Sequence, residues 1–378
     1  MSVEIRPIST KRDIRRFVKF GNELYKDCEN YCPPLFEDEV NIFDKKKNPA
    51  FDIAECQLFM AYREGKAVGR IAAIVNHRAN EHWKIKKVRF GWIDFIDDME
   101  VSKALLDAAA AWGKERGMEV LNGPVGFTDL DHEGLLIEGF EYLAPLASLY
   151  NYPYYEKHLE AYGLTKENDW IEIQMTPPAD GKLPERVERL SKIVAERGHY
   201  KVAKIRNAKE LTARFGYSYF DVIDECYKKL YNFQPLTQRQ KEYYSKHYFS
   251  ILNFDFVTLV VNEKDEIVGF GIGMPDISKA VKKCGGKLFP WGWIPVLRAL
   301  KAKTIDTFDL LLIGVRPDLQ GSGINSIIIA DQFPYFIKYN IKTIETTSIM
   351  ETNVKNQANW LMFPHKIHKR RRAYIKKI

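Results

Sequence analysis

An apolar run at 310–315 and an apolar helical pattern resuming after Gly323 flank the hexapeptide Gln320-Gly321-Ser322-Gly323-Ile324-Asn325. Strand, glycine-rich turn and helix start, in that order, present bare backbone N–H groups to a phosphate. The glycines allow close approach, and the helix N-terminus carries partial positive charge. Two phosphate motifs fail on spacing. A Walker A loop needs a lysine directly after its last glycine, and none stands here. A dinucleotide fingerprint needs three glycines, and only Gly321 and Gly323 are present. A second concentration of reactive side chains, Asp129, Asp131, His132 and Glu133, falls in the glycine-rich stretch 123–134. Such a loop could bind an acceptor amine or serve as structure. Its four groups are too close-set for a familiar metal pattern, so no metal is expected.

The elements that must position the 320–325 turn follow from periodicity. The first half reads as a strand at 3–7, an amphipathic helix at 11–26, and a Pro-, Asp- and Lys-rich loop at 27–54. Strands at 57–63 and 68–76 follow, joined by a short glycine-containing turn, then a strand at 88–95. A helix at 102–116 ends before Gly117, and strand 119–121, helix 154–162 and strand 170–175 complete the half. After a linker with three prolines and a glycine at 177–184, a helix at 185–196 precedes the same pattern: strand 200–205, helical segments 211–231 and 238–249, strands 256–261 and 267–274, strand 310–315, the glycine turn, a helix to 338, strand 343–347, a short helix at 355–362 and a basic final strand. The order β-α-β-β-β-α-β-α-β thus occurs twice, an internal duplication. We expect domains at 1–176 and 185–378 joined by 177–184, in an α/β (mixed-sheet, α+β) fold class.

With these residues in view, the glycine stretch resembles the acyl-CoA pyrophosphate loop of the GNAT superfamily of N-acyltransferases, which reads Val-x-Pro-x-x-(Arg or Gln)-Gly-x-Gly-x-(Gly or Ala). Val315, Pro317, Gln320, Gly321 and Gly323 fall in place, and Asn325 departs from the small residue preferred there. The element order is similar to two tandem GNAT domains. At the equivalent place in the first half, after 88–95, the chain has Asp97-Asp98-Met99-Glu100, whose carboxylates repel a pyrophosphate and suit a helix cap instead. The resemblance therefore implies a first domain without acyl-CoA binding.

It also implies a chemistry: direct attack of an amine on the thioester of acyl-CoA, most simply acetyl-CoA. Leu312, Ile313, Gly314 and Val315 would bind pantetheine through their backbone, and Gln320, Gly321, Ser322, Gly323, Ile324 and Asn325 the pyrophosphate. An N–H of that strand could stabilise the oxyanion. The amine must lose a proton first, so a carboxylate is needed. Glu351 and Asp309 are the candidate bases, with Glu345 ranked third. The tyrosine that protonates the leaving thiolate in this family has no counterpart near Trp360 and Phe363, and Tyr374 is poorly placed. Two rival readings stay open: transfer of longer acyl groups to a lipid-like amine, and a catalytically silent scaffold.

Composition sets the remaining bounds. With 46% hydrophobic and 28% charged residues in 378, the chain has enough apolar material for two full cores and reads as globular. No run approaches a membrane span and the N-terminus lacks a signal-peptide core, so a cytoplasmic location is expected. The five scattered cysteines form neither a disulfide framework nor a metal motif. The basic tail from His365 is read as a solvated edge strand, because no nucleic-acid recognition pattern accompanies it; no nucleic-acid partner is expected. The aromatic stretch 287–300 leaves three roles open: lining a pocket for a long acyl chain or apolar acceptor, contacting a membrane surface, or packing on the first domain.

Overall fold

In a computed structural model describing residues 2–378, β1 (Glu4–Ile8) leads into α1 (Lys11–Leu24), which Thr10 starts by accepting a hydrogen bond from Asp13 N–H at 3.2 Å. The segment expected to be loop contains a second helix, α2 (Phe36–Ile42). Its acidic sequence hides an inward face of Phe36, Glu39 and Val40, spaced to fall on one side of a helix. Next come β2 (Ala54–Arg63), β3 (Lys66–Asn76), α3 (His77–Trp83), β4 (Lys87–Phe95), α4 (Met99–Lys114) and β5 (Val120–Gly123). Short β6 (Leu135–Glu138), α5 (Tyr154–Ala161) and β7 (Thr165–Met175) complete the first half.

The second half begins with α6 (Glu185–Gly198) and β8 (Lys201–Val202). The long helix expected at 211–231 is two helices, α7 (Ala208–Phe215) and α8 (Ser218–Tyr227), because Gly216 at φ 59° turns the chain between them. Then follow α9 (Gln238–His247), β9 (Val257–Val261), β10 (Ile267–Pro275), α10 (Ser278–Lys283), α11 (Trp293–Leu300) and β11 (Thr307–Val315). The chain closes with α12 (Ile324–Lys338), β12 (Thr343–Thr346), β13 (Ile349–Met350), α13 (Val354–Gln357) and β14 (His365–Lys377).

Two compact units result, and they interleave in sequence. The first takes the residues through Ile171, then Ser278–Pro295 and Lys369–Ile378; the second takes Glu172–Ile277 and Val296–His368. In the first unit the strands run β1-β2-β3-β4-β5-β14, antiparallel except for the parallel pair β4–β5. In the second, the end of β7 pairs with β12, followed by β11, β10, β9 and β8, and only β11–β12 is parallel. Each unit thus carries one parallel pair in mid-sheet, followed by a helix: α4 after β4 and α12 after β11.

The basic tail is not an edge. Within the first unit β14 is flanked by β5 on one stretch and β6 on another, and Lys369 and Arg371 are buried. Arg372 is held by Asp169 through two hydrogen bonds of 2.8 and 3.0 Å, which offset the cost of placing its charge inside the sheet.

In the first unit Phe17, Val18, Phe43, Trp92 and Phe127 form one face of the core, and the buried face of α4 packs on the other. Glu39 lies in that core, 5% exposed, accepting from Trp92 Nε1–H. Burial pushes its carboxyl from the ordinary 4.5 up to about 7, against the attraction of Arg70 and the Trp92 hydrogen bond. A carboxyl raised in the folded state favours folding most below pH 4.5, and stability falls as pH rises from there through 7. Glu39→Gln, which keeps an acceptor for Trp92, is therefore expected to raise stability at pH 8 by up to about 3 kcal/mol, with the gain fading toward pH 4.5. Urea midpoints at both pH values check this; a gain that does not depend on pH would show that Glu39 does not carry the effect.

Candidate active site

Of the loop residues, Gly321 and Gly323 adopt φ of 86° and 92°, the left-handed region that glycine enters without steric cost. Pro317–Leu319 forms a single 3₁₀ turn, Ser322 N–H bonds Leu319 O at 3.2 Å, and Gly323 is the N-cap of α12 without any capping side chain. Among the described residues, none pairs with the backbone N–H of Gly321, Gly323, Ile324 or Asn325. Four unpaired amides around one helix start form a cradle for an anion. Arg316 is paired with Asp318 at 2.7 Å, so the cradle's positive potential comes from the backbone. The departing residue, Asn325, turns its side chain aside: Nδ2 donates to Asn359 Oδ1 at 3.0 Å.

The strand before the loop is open on one edge. Parallel pairing of β11 with β12 runs from Thr307↔Thr343 to Leu310↔Thr346, closed by Thr347 N–H on Leu310 O at 3.0 Å. Beyond it, residues 312–315 keep only their β10 partners, from Ile272↔Leu312 to Gly269↔Val315. The register against β10 slips at Leu311, which is left over as a β-bulge. Apolar Leu310, Leu311, Leu312 and Ile313 remain half-buried, although they lie on an inner strand of their sheet. Tyr227 of α8 donates its hydroxyl to Ile313 O at 3.3 Å. Helix α12 is seated directly on β10: a Cβ on Gly271 would stand 2.4 Å from Ile328 Cγ2, so only glycine permits this spacing.

The two faces of the splayed strands differ. On the α12 side, Leu310, Ile344, Phe333, Phe336, Trp360 and Phe363 line an apolar crevice around a void of about 20 Å³, little more than the room one water needs. On the opposite face Asp309 and Glu345 are register partners, since paired residues of neighbouring strands share a face. Asp309 is 7% exposed. Glu345 accepts from Gln174 Nε2 at 2.8 Å and meets His368 Nε2 at 3.1 Å. His368 Nδ1 lies 3.0 Å from Glu172 O, and a carbonyl can only accept, so Nδ1 carries a proton. His368 Nε2 therefore faces the Glu345 carboxylate.

Asp309 and Glu345 are thus brought together, while Glu351 lies beyond β13, half-buried, its carbonyl accepting from Gln357 Nε2 at 3.0 Å. His368 and Tyr227 escaped the sequence reading. The first lies in a run of basic residues that resembled a solvated tail, and the second ends a helix whose other tyrosine, Tyr219, is a buried core residue.

The matching place in the first unit is closed by its own side chains. Asp98 caps α4 by accepting from Glu100 and Val101 N–H at 2.9 and 3.3 Å, as its sequence implied. Arg63, 2.6 Å from Asp98, holds that carboxyl below its usual range, so it stays charged where a phosphate would have to come. At the end of β4, Phe95 N–H donates to Tyr155 Oη at 3.1 Å, and Tyr154 donates to Phe95 O at 2.6 Å. The 123–134 stretch fills the gap beside β4: Val125 N–H bonds Phe90 O at 2.9 Å, and Phe127 packs at an angle among Phe43, Phe51 and Trp92. His132, with Nε2 3.1 Å from Leu146 O, is pushed by burial down to about 4 and is neutral at pH 7. Among the described residues no cluster of His, Cys, Asp and Glu could hold a metal ion, and no helix is long and apolar enough to cross a membrane.

No family model matches the chain. Its fold is similar to a tandem GNAT protein from the clavulanic acid biosynthesis pathway, with TM-score 0.57 at 11% identity over 100% of this chain and 98% of that one. It is also similar to a GCN5-related N-acetyltransferase from Sphaerobacter thermophilus, with TM-score 0.52 at 12% identity over 99% and 95%. In sequence it is 27% identical to the bacterial ceramide synthase of Caulobacter vibrioides over 84% of this chain and 81% of that protein. It is 30% identical to protein YghO of Escherichia coli K12 over 99% of this chain and 95% of YghO. The chain belongs to the YghO family and has the tandem GNAT fold.

Proposed function

We propose that the protein is an acyl-CoA-dependent N-acyltransferase with one site, in the second of its two tandem halves, 1–176 and 185–378. The observation that carries this reading is a strand edge at 312–315 that β12 leaves uncovered, followed in the chain by the unpaired amides of Gly321, Gly323, Ile324 and Asn325. An extended thioester carrier ending in a pyrophosphate matches that layout: amides of its arm against a strand edge, phosphates against a helix start. In this reading the amine approaches on the polar face. Asp309, or the Glu345–His368 pair, takes its proton, and an N–H of the bulged strand stabilises the oxyanion. Glu351 remains a further candidate base. Tyr227, whose hydroxyl reaches Ile313 O on the open strand, is proposed to protonate the leaving thiolate, a role the sequence left unfilled.

For the acceptor we favour the amine of a long-chain amino alcohol over a small polar amine, and a fatty acyl donor over acetyl. Two observations support this choice: the likeness to a protein named ceramide synthase, and the apolar crevice beneath the splayed strands. That crevice must widen to admit a chain, so acetyl transfer is the second reading. Thiol release from acetyl-CoA and palmitoyl-CoA, each with a small amine and with a sphingoid base, separates the two. The expected result is turnover at least about tenfold faster with palmitoyl-CoA and the sphingoid base, a difference of about 1.4 kcal/mol in the barrier. Preference for acetyl-CoA with a small amine would select the second reading, and release with neither donor would sink both.

A further inference from the structure

The exposed aromatic side chains are concentrated at one place in the first unit: Phe289 is 83% exposed, Trp291 71% and Trp293 44%. Scattered apolar residues on a surface are ordinary, but two tryptophans and a phenylalanine within five positions form a patch that needs a partner. They are held outward by the backbone. Trp293 N–H bonds Leu288 O at 2.8 Å, Ile294 N–H bonds Trp291 O at 3.2 Å, and Trp293 Nε1–H donates to Pro290 O at 3.1 Å, closing a tight turn beneath the rings. The base is anchored too: Gly286 O accepts from Phe36 N–H at 2.9 Å, and a Cβ on Gly286 would stand 2.2 Å from Pro34 O. This presentation is built, since rings on a slack loop would fold down onto their own surface.

The charge around the turn decides the partner. Within the first unit, residues 278–295 contain Lys279, Lys282, Lys283 and Lys287, and no Asp or Glu. Lys279, Lys283 and Lys287 are exposed and precede the aromatic tip in the chain within the first unit. Tryptophan and phenylalanine at the tip of a cationic surface match the interface of a bilayer whose headgroups are negative: rings enter the acyl boundary while ammonium groups remain among the phosphates.

We propose that the Phe289–Trp293 turn docks the protein on anionic membrane surfaces. The test uses the full chain without acyl-CoA, so its failure leaves the acyltransferase reading untouched. The protein is co-sedimented with vesicles of equimolar phosphatidylglycerol and phosphatidylcholine, and with phosphatidylcholine alone. Wild type is expected to partition onto the anionic vesicles and to release at high salt. Phe289→Ser with Trp291→Ser, at positions too exposed to disturb the fold, should lower partitioning about tenfold or more. Lys279→Gln, Lys283→Gln and Lys287→Gln together should reduce anionic binding to the level seen with phosphatidylcholine. Absence of partitioning by wild type, or variants that partition as wild type does, overturns the proposal. So does concentration-dependent dimerisation in sedimentation velocity that the serine variant abolishes, which would assign the patch to a second copy of the chain.

Discussion

Asp94→Ala is expected to destabilise the first unit by about 3–5 kcal/mol. Asp94 Oδ2 accepts from Arg70 Nε at 2.7 Å, and its Oδ1 accepts from the hydroxyls of Tyr25 and Tyr155 at 2.8 and 3.2 Å. Arg70 and Asp94 are both under 10% exposed, and Arg70 also donates to Phe17 O at 2.8 Å. Deleting the carboxylate leaves a buried guanidinium without the carboxylate it hydrogen-bonds and removes the shared acceptor of two phenols. Asp94→Asn, which keeps an acceptor for the tyrosines, should cost clearly less. Breaking the exposed Lys19–Glu23 pair by Glu23→Ala should cost at most about 0.5 kcal/mol, because solvent screens it and side-chain entropy opposes it. Urea midpoints of the three variants check the ordering. A loss at Asp94→Ala no greater than at Glu23→Ala would show that the buried network is not what holds this unit together.

The second large effect is on binding. Gly321→Asp should weaken acyl-CoA affinity about a hundredfold, near 3 kcal/mol, while Gly321→Asn weakens it far less. A Cβ at Gly321 meets nothing within 4 Å, and Asp and Asn both tolerate the left-handed backbone there. The pair therefore isolates charge: the two side chains are isosteric, and only the carboxylate competes with phosphate for the amides. Gly323 is a poorer probe, since its Cβ would stand 2.9 Å from Val194 Cγ2 and any side chain would lift α12 from α6. Equal loss with Asp and Asn would attribute the effect to shape and place the phosphates elsewhere.

The parts of this molecule legible in its sequence are those fixed by local chemistry. The loop was readable because Gly321 and Gly323 need no distant partner to declare a turn, and α12 because apolar residues recur at helical spacing from Ile324 to Ile337 despite Pro334. Asp98 announced itself as a cap for the same reason. What sequence could not show depends on pairing across the chain. The bulge at Leu311 exists only relative to β10, and the open edge at 312–315 only because β12 departs after Thr346. The basic tail looked like a solvated edge because the carboxylate that neutralises Arg372, Asp169, lies some two hundred residues earlier. Glu39 looked like one acid among several in a polar loop until Trp92 and Arg70 were seen beside it. Buried charge is the feature a single sequence hides best, because composition places charge outside by default.

The most direct measurement is calorimetric titration of the wild-type chain with palmitoyl-CoA and acetyl-CoA. Saturable binding of one molecule per chain is expected, because the amides of the second unit's loop are open while Asp98, Tyr154 and Tyr155 close the matching place in the first. Two molecules per chain would contradict the assignment of the first unit as closed, and no binding of either thioester would contradict the site itself.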